Sequence, residues 1–190
     1  PLASQAKWTQ QWYGGVGTGI QHFDLRTTMN NIYIGPGFTS YQFDTQDNSE
    51  FVNLFFGLAN RENENYWAVE ANAYYDNAHN SGGFYDSADT TTHNISSQIP
   101  WRFELDGILG RYFNPNTLGY LKIGATTARL KADYIAFNPV GTVYGSVNSS
   151  KQIYGGLLGL GAQYSLNQNW RIGAEADYIV FANTTVNTAM

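Results

Sequence analysis

Cysteine is missing from all 190 residues, which excludes a disulfide scaffold and thiolate-ligated metal. Charge is scarce as well: Asp, Glu, Lys and Arg make up 13% of the chain, about half the ~25% usual in soluble domains. The shortage of Lys, Glu and Leu excludes a coiled coil. No window approaches 18 uninterrupted apolar residues, so no transmembrane helix is expected. The net charge is -5, and nucleic acid, which needs a basic footprint, is not an expected partner. Residues 1–11 carry one Lys and no apolar core. Either the chain is cytosolic or a signal was removed before it begins, and the rest of the sequence favours removal.

What is present is an uncommon mixture. There are 14 Tyr, 11 Phe, 5 Trp, 20 Gly and 19 Asn, yet the mean hydropathy is only -0.35. So much aromatic and apolar surface excludes disorder. The length suits one domain, or two very small ones.

Alternation with a period of two dominates and predicts seven strands. Trp12, Val16 and Ile20 oppose Gly15, Gly17, Gly19 and Gln21. Val52, Leu54, Phe56 and Leu58 form the apolar face of the second strand. Trp67, Val69, Ala71, Ala73 and Tyr75 oppose Glu70 and Asn72. Trp101, Phe103, Leu105 and Leu109 oppose Arg102, Glu104, Asp106 and Ile108. Leu121, Ile123 and Ala125 oppose Tyr120, Lys122, Gly124 and Thr126. Tyr154, Leu158, Leu160, Ala162 and Tyr164 oppose Gly155, Gly159, Gly161 and Gln163. Trp170, Ile172, Ala174, Ala176, Tyr178 and Val180 oppose Arg171, Gly173, Glu175 and Asp177. No segment offers apolar residues at the i, i+3, i+4, i+7 spacing of a helix.

The connections alternate in length. Asn60–Asn65, Asn114-Pro115-Asn116 and Asn167-Gln168-Asn169 have tight-turn compositions, whereas Asp24–Ser49, Asp76–Ser96 and Leu130–Lys151 are read as long loops. An up-and-down sheet then has its short turns at one end and its long loops at the other. The apolar face is continuous and carries aromatics at its ends, while the other face mixes small residues with isolated charges. Aromatic girdles around an apolar band, with a polar lumen, describe an outer-membrane barrel, and about ten tilted residues per strand suffice to cross.

The stretch Leu157–Val180, with its Gly-rich strand, short polar turn and Gly173-Ala174-Glu175 followed by Tyr178, resembles the penultimate hairpin of small OmpA-type outer-membrane barrels. The opening WYGGVGTGI from Trp12 to Ile20 is similar to the first strand of that family. The resemblance implies an eight-stranded barrel of the Gram-negative outer membrane, with both termini in the periplasm and four long extracellular loops. The expected fold is therefore all-β: an up-and-down antiparallel transmembrane β-barrel of eight strands, of which seven are visible. Residues 1–11 are the expected periplasmic segment and 12–190 a single barrel domain. After Val180 the chain reads FANTTVNTAM, like the start of a fourth outer loop. A returning strand ending in an aromatic is expected beyond Met190, since an open edge in lipid leaves backbone groups unsatisfied.

The inward-facing ionisable set is Glu70, Arg102, Glu104, Asp106, Lys122, Arg171, Glu175 and Asp177. It could form an ion or proton path, but an eight-stranded interior is only wide enough for side chains to fill, and mutual neutralisation in a plug is the expectation. His79 and His93 share the second long connection with Asp76, Asp86 and Asp89, but their spacing matches no closed metal site. His22 lies at the outer rim on the lipid-facing parity, and no Ser-His-acid set can be assembled beside it as a lipid-hydrolysing enzyme would need. The Gly15–Gly19 run lacks the Lys-Ser/Thr of a phosphate loop. No enzyme activity, metal or cofactor is expected. The outer connections carry Tyr33, Phe38, Tyr41, Tyr134, Phe137 and Tyr144, too aromatic for inert loops. They either pack as extended hairpins or bind another protein or a surface glycan. Outer-membrane lipid and lipopolysaccharide are the expected surroundings. The expected role is structural or adhesive, with a narrow channel or a lipid-modifying enzyme as the alternatives.

Overall fold

The computed structural model describes residues 9–34, 37–86 and 90–182; over 23–47 and at several hairpin positions, Tyr144 among them, it describes the backbone alone. Within these residues the chain is all-β, without a helix. Seven strands follow one another: β1 (Thr9–Ile34), β2 (Gly37–Glu62), β3 (Asn65–Asp86), β4 (Thr91–Asn114), β5 (Thr117–Phe137), β6 (Val143–Ser165) and β7 (Arg171–Phe181). They form one antiparallel sheet in sequence order, curled around a buried, barrel-like core. The expected eighth strand is not among the described residues, and residues 183–190 lie outside them.

The tight turns are where the sequence places them, and Asn makes them. Asn63 adopts the left-handed conformation at φ 56° between β2 and β3, which Asn tolerates better than most residues. The Asn114 side-chain oxygen accepts from the backbone N–H of Asn116 and Thr117 at 3.0 and 2.9 Å. Asn167 repeats the arrangement with Asn169 and Trp170 at 2.9 and 3.0 Å. Asn138 does the same at the outer end, accepting from Val140 and Thr142.

The long connections are a correction. Asp24–Ser49, Asp76–Ser96 and Leu130–Lys151 are largely strand, not loop: β1 and β2 pair out to Ile34 and Gly37, β3 and β4 to Asp86 and Thr91, and β5 and β6 to Phe137 and Val143. Their Thr, Tyr, Val and Ile content suits strands, but polar residues at both parities hide the alternation there. A register slip at Pro100 obscures it further. Between Gln98 and Arg102, β4 carries one residue more than β5; between Ile99 and Trp101 it carries one fewer than β3. Pro has no N–H to give to a ladder, and a bulge is where a sheet accommodates it.

The alternation sorts residues as expected. Leu105, Ile123 and Leu158 are 60%, 65% and 60% exposed, whereas Asp106 and Lys122 are each 1% exposed. Inward glycines leave space for large neighbours: a Cβ at Gly57 would lie 2.6 Å from the Tyr13 ring, and one at Gly161 would collide with the Tyr120 ring.

Candidate functional site

The interior is layered. At the turn end Ala59, Tyr66, Ala68, Ile108, Tyr112, Leu118 and Tyr120 pack together, with Tyr13 against them. The Arg61 guanidinium sits 3.8 Å from the centre of the Tyr112 ring, a cation over a π face. At the other end Ile99, Ala128, Leu130 and Ile153 form a second apolar cluster that Phe181 joins. The charges lie between these two layers.

Lys122 on β5 is the hub. Its ammonium pairs with Glu175, with Asp177 at 2.9 Å and with Asp106 at 3.9 Å. Tyr120 donates its hydroxyl hydrogen to Glu175 at 2.8 Å. The Asn72 amide donates to Glu70 at 2.9 Å and to Asp106 at 2.8 Å, and its oxygen accepts from Asn53 at 3.2 Å. Neighbouring inward positions create these meetings: Glu70 is level with Asp106, Asp106 with Gly124, and Gly159 with Asp177. A lone ion is expensive to bury, and pairing offsets the cost only when several partners converge.

A second group surrounds Arg102. Its Nε lies 2.9 Å from a Glu104 oxygen, and its guanidinium covers the Tyr74 ring at 4.1 Å. It also donates to Gln21 on β1 at 2.9 Å. Gln21 donates to Ser49, which donates to Asp76 at 2.9 Å. This polar chain runs from β4 across the interior to β1 and on to β3.

Of the eight predicted interior groups, seven lie in this middle layer. Arg171 stands apart at the turn end of β7, donating to Gln11 of β1 at 3.3 Å. Parity puts Asn53, Asn72, Tyr74 and Tyr120 on the inward rows too, but only distances make them part of the network. Among the outer aromatics, Tyr134 points inward and is buried; its hydroxyl lies 2.6 Å from His93 Nδ1, with the rings stacked. Phe137 is half-buried beside the β5–β6 turn. The side chains of Tyr33, Phe38, Tyr41 and Tyr144 lie outside the description.

His93 is buried, with Nε2 2.8 Å from the Thr91 hydroxyl, while His79 is exposed. The ladder sets His79 opposite Gln98 and His93 opposite Phe84, five positions apart. Among the described residues no group of three His, Cys, Asp or Glu is placed to hold a metal ion. His22 is exposed and bonded to Asn48 at 2.8 Å across the β1–β2 ladder.

Comparison with known proteins found no matching family model, no matching curated protein and no matching solved structure.

Proposed function

We propose that the chain is a small outer-membrane β-barrel of the OmpA type in a Gram-negative envelope, with a lumen filled by side chains and a structural or adhesive role carried by its extended hairpins. One observation carries this reading: the distribution of polarity is inverted. Glu70, Asp76, Arg102, Glu104, Asp106 and Lys122 are buried, while large apolar side chains are exposed along the outer face. In water that band would be an aggregation liability far beyond an ordinary exposed patch; in lipid it is the required surface.

The band has boundaries. Trp12, Trp67, Phe113, Tyr164 and Trp170 rim the turn end, and Tyr75, Tyr154 and Tyr178 stand towards the other; all are exposed. From Trp67 to Tyr75, and from Trp170 to Tyr178, is eight residues, and from Tyr154 to Tyr164 ten. At about 3.3 Å per residue and a tilt of about 40°, this is about 20–25 Å, close to an outer-membrane apolar band. Beyond it β3 continues for eleven more residues to Asp86. Such hairpins would stand clear of the bilayer and offer surface to a protein or glycan.

The channel alternative is disfavoured by the two apolar layers that bracket the charges, since an ion would have to shed its hydration at each. The test is envelope fractionation followed by vesicle flotation. The reading predicts recovery with outer-membrane lipid, flotation with vesicles and resistance to alkaline extraction. Recovery as a soluble monomer would sink it.

A further inference from the structure

Just beyond the apolar band at the hairpin end, the outward row of β5 turns cationic. Ala128 and Leu130 are buried, so Thr127, Arg129 and Lys131 continue the outer row of Leu121, Ile123 and Ala125. Arg129 and Lys131 are both exposed. Arg129 Nε donates to the Ser150 hydroxyl at 2.6 Å, and the ladder sets Ser150 opposite Lys131. That bond tilts the guanidinium towards the level of the lysine. Gln98 of β4 lies beside Lys131, and Gln152 of β6, which donates to Thr127 at 2.6 Å, lies beside Arg129. None of these neighbours is acidic. The first carboxylate along the row is Asp133, and among the described residues neither cation is ion-paired. The turn end differs: Arg111 pairs with Glu64 at 2.7 Å, and Arg61 covers Tyr112 and donates to the Asn63 carbonyl.

We propose that Arg129 and Lys131, with the apolar surface beneath them, form a binding site for one phosphate-bearing lipid in the leaflet at the hairpin end. The two cations hold the phosphate, and an acyl chain lies along the outer face of β5 and β6. The proposal deepens the bilayer reading and rests on it.

Height, charge and shape converge on this occupant. Thr127 is level with Tyr154 of the outer girdle, and Arg129 and Lys131 follow it by two and four positions. At about 3.3 Å per residue and a tilt of about 40°, they stand about 5 and 10 Å beyond the girdle. The head-group layer outside the hydrocarbon is about 5–8 Å deep on each side. Arg129 therefore lies within that layer, and the Lys131 side chain is long enough to reach back into it from just above. Unpaired cations at this depth attract anionic head groups, and a guanidinium presents a fork that matches phosphate oxygens. Below the pair the outer face has a low spot. Ala125 lies opposite Gly156, and a Cβ on Gly156 would meet nothing nearer than a backbone oxygen at 3.9 Å. Leu105, Ile123, Tyr154 and Leu158 stand around it, all exposed. A soluble acidic partner would meet the two cations but leave this apolar recess unused; a lipid engages both.

The test uses the full chain in phosphatidylcholine vesicles that carry a trace of chain-labelled lipid, either spin-labelled phosphatidic acid or spin-labelled phosphatidylcholine. The fraction of label slowed at the protein surface reads relative affinity. The proposal predicts that phosphatidic acid is held about tenfold more strongly than phosphatidylcholine. Lys131→Gln should cut that preference about threefold, and adding Arg129→Gln should bring it close to parity. Lys131→Arg, which keeps the charge, should keep the preference, and Arg111→Gln at the turn end should leave it unchanged. Every variant should slow phosphatidylcholine as the wild type does, which shows that the barrel is intact. Three results would each overturn the proposal: equal affinity for the two lipids, a preference that survives the double substitution, or displacement of phosphatidic acid by millimolar inorganic phosphate at constant ionic strength, which would mark a free-anion site. A chain that floats with vesicles and shows no preference loses this site alone, whereas a chain that does not float loses the bilayer reading with it.

Discussion

Leu105 and Ile108 are three residues apart on β4 and lie on opposite faces of the sheet. Leu105 is 60% exposed on the outer band; Ile108 is 3% exposed, among Tyr66, Tyr112 and Leu118. Truncating an outward, exposed side chain opens no cavity, whereas truncating a packed one does. Leu105→Ala should therefore change stability by less than about 1 kcal/mol, and Ile108→Ala should cost about 2–4 kcal/mol, measured by urea unfolding in vesicles. Leu105→Arg should cost roughly 2–4 kcal/mol in a bilayer, and the loss should shrink when the same variant is placed near either girdle. Equal costs for the two alanine variants would show that the assignment of faces on β4 is wrong. The Arg102–Glu104 pair, at 2.9 Å and enclosed, offers a second test. Arg102→Ala strands a buried carboxylate and should cost about 3–5 kcal/mol, and adding Glu104→Gln should restore a substantial part. Simple additivity would mean that the two groups do not interact.

At the scale of elements, the turn-end halves of the strands were legible in the sequence, because an apolar outer face and a charged inner face impose strict alternation there. Trp101 to Gly110 is the clearest case. The Asn-bearing turns were legible too, since a turn needs a residue whose side chain can take the backbone's unpaired N–H groups. The outer halves were not legible. The sequence of β3 from Asp76 to Asp86 has no apolar stripe, and the Pro100 slip shifts the inward row of β4 from Arg102 to Ile99. The inward burial of Tyr134 against His93 was hidden for the same reason. The two buried apolar clusters contain no residue of 82–94. Replacing residues 82–94 by Asn-Gly should leave barrel assembly intact while abolishing any binding that the β3–β4 hairpin carries. Heat-modifiable migration in gel electrophoresis reads the first, and adherence of cells displaying the protein reads the second. Loss of assembly would mean that the hairpin belongs to the folding core.

On the scale of the whole molecule, the sheet encloses charge within two apolar layers and turns its greasy face outward. The charges were foreseeable from parity; the layers were not, because Ile99, Ala128, Leu130, Ile153 and Phe181 are scattered over four strands. Planar-bilayer recordings should be electrically silent, and Leu130→Ala combined with Ile153→Ala should be the variant that first produces steps. Wild-type unitary conductance would contradict the proposal of a lumen plugged by side chains. The central claim is that lipid surrounds this sheet, and the absence of cysteine makes it directly measurable. Single cysteines at Val69, Leu105, Ile123 and Leu158, and at the inward positions Asn72, Thr126 and Leu157, can each carry a spin label in vesicles. Collision with oxygen, which concentrates in lipid, and with a charged nickel chelate, which stays in water, then reads the medium at each site. The account predicts high oxygen and negligible chelate accessibility at the four outward sites, and low accessibility to both at the three inward ones. Free collision of the chelate with the outward labels would place the band in water and contradict it.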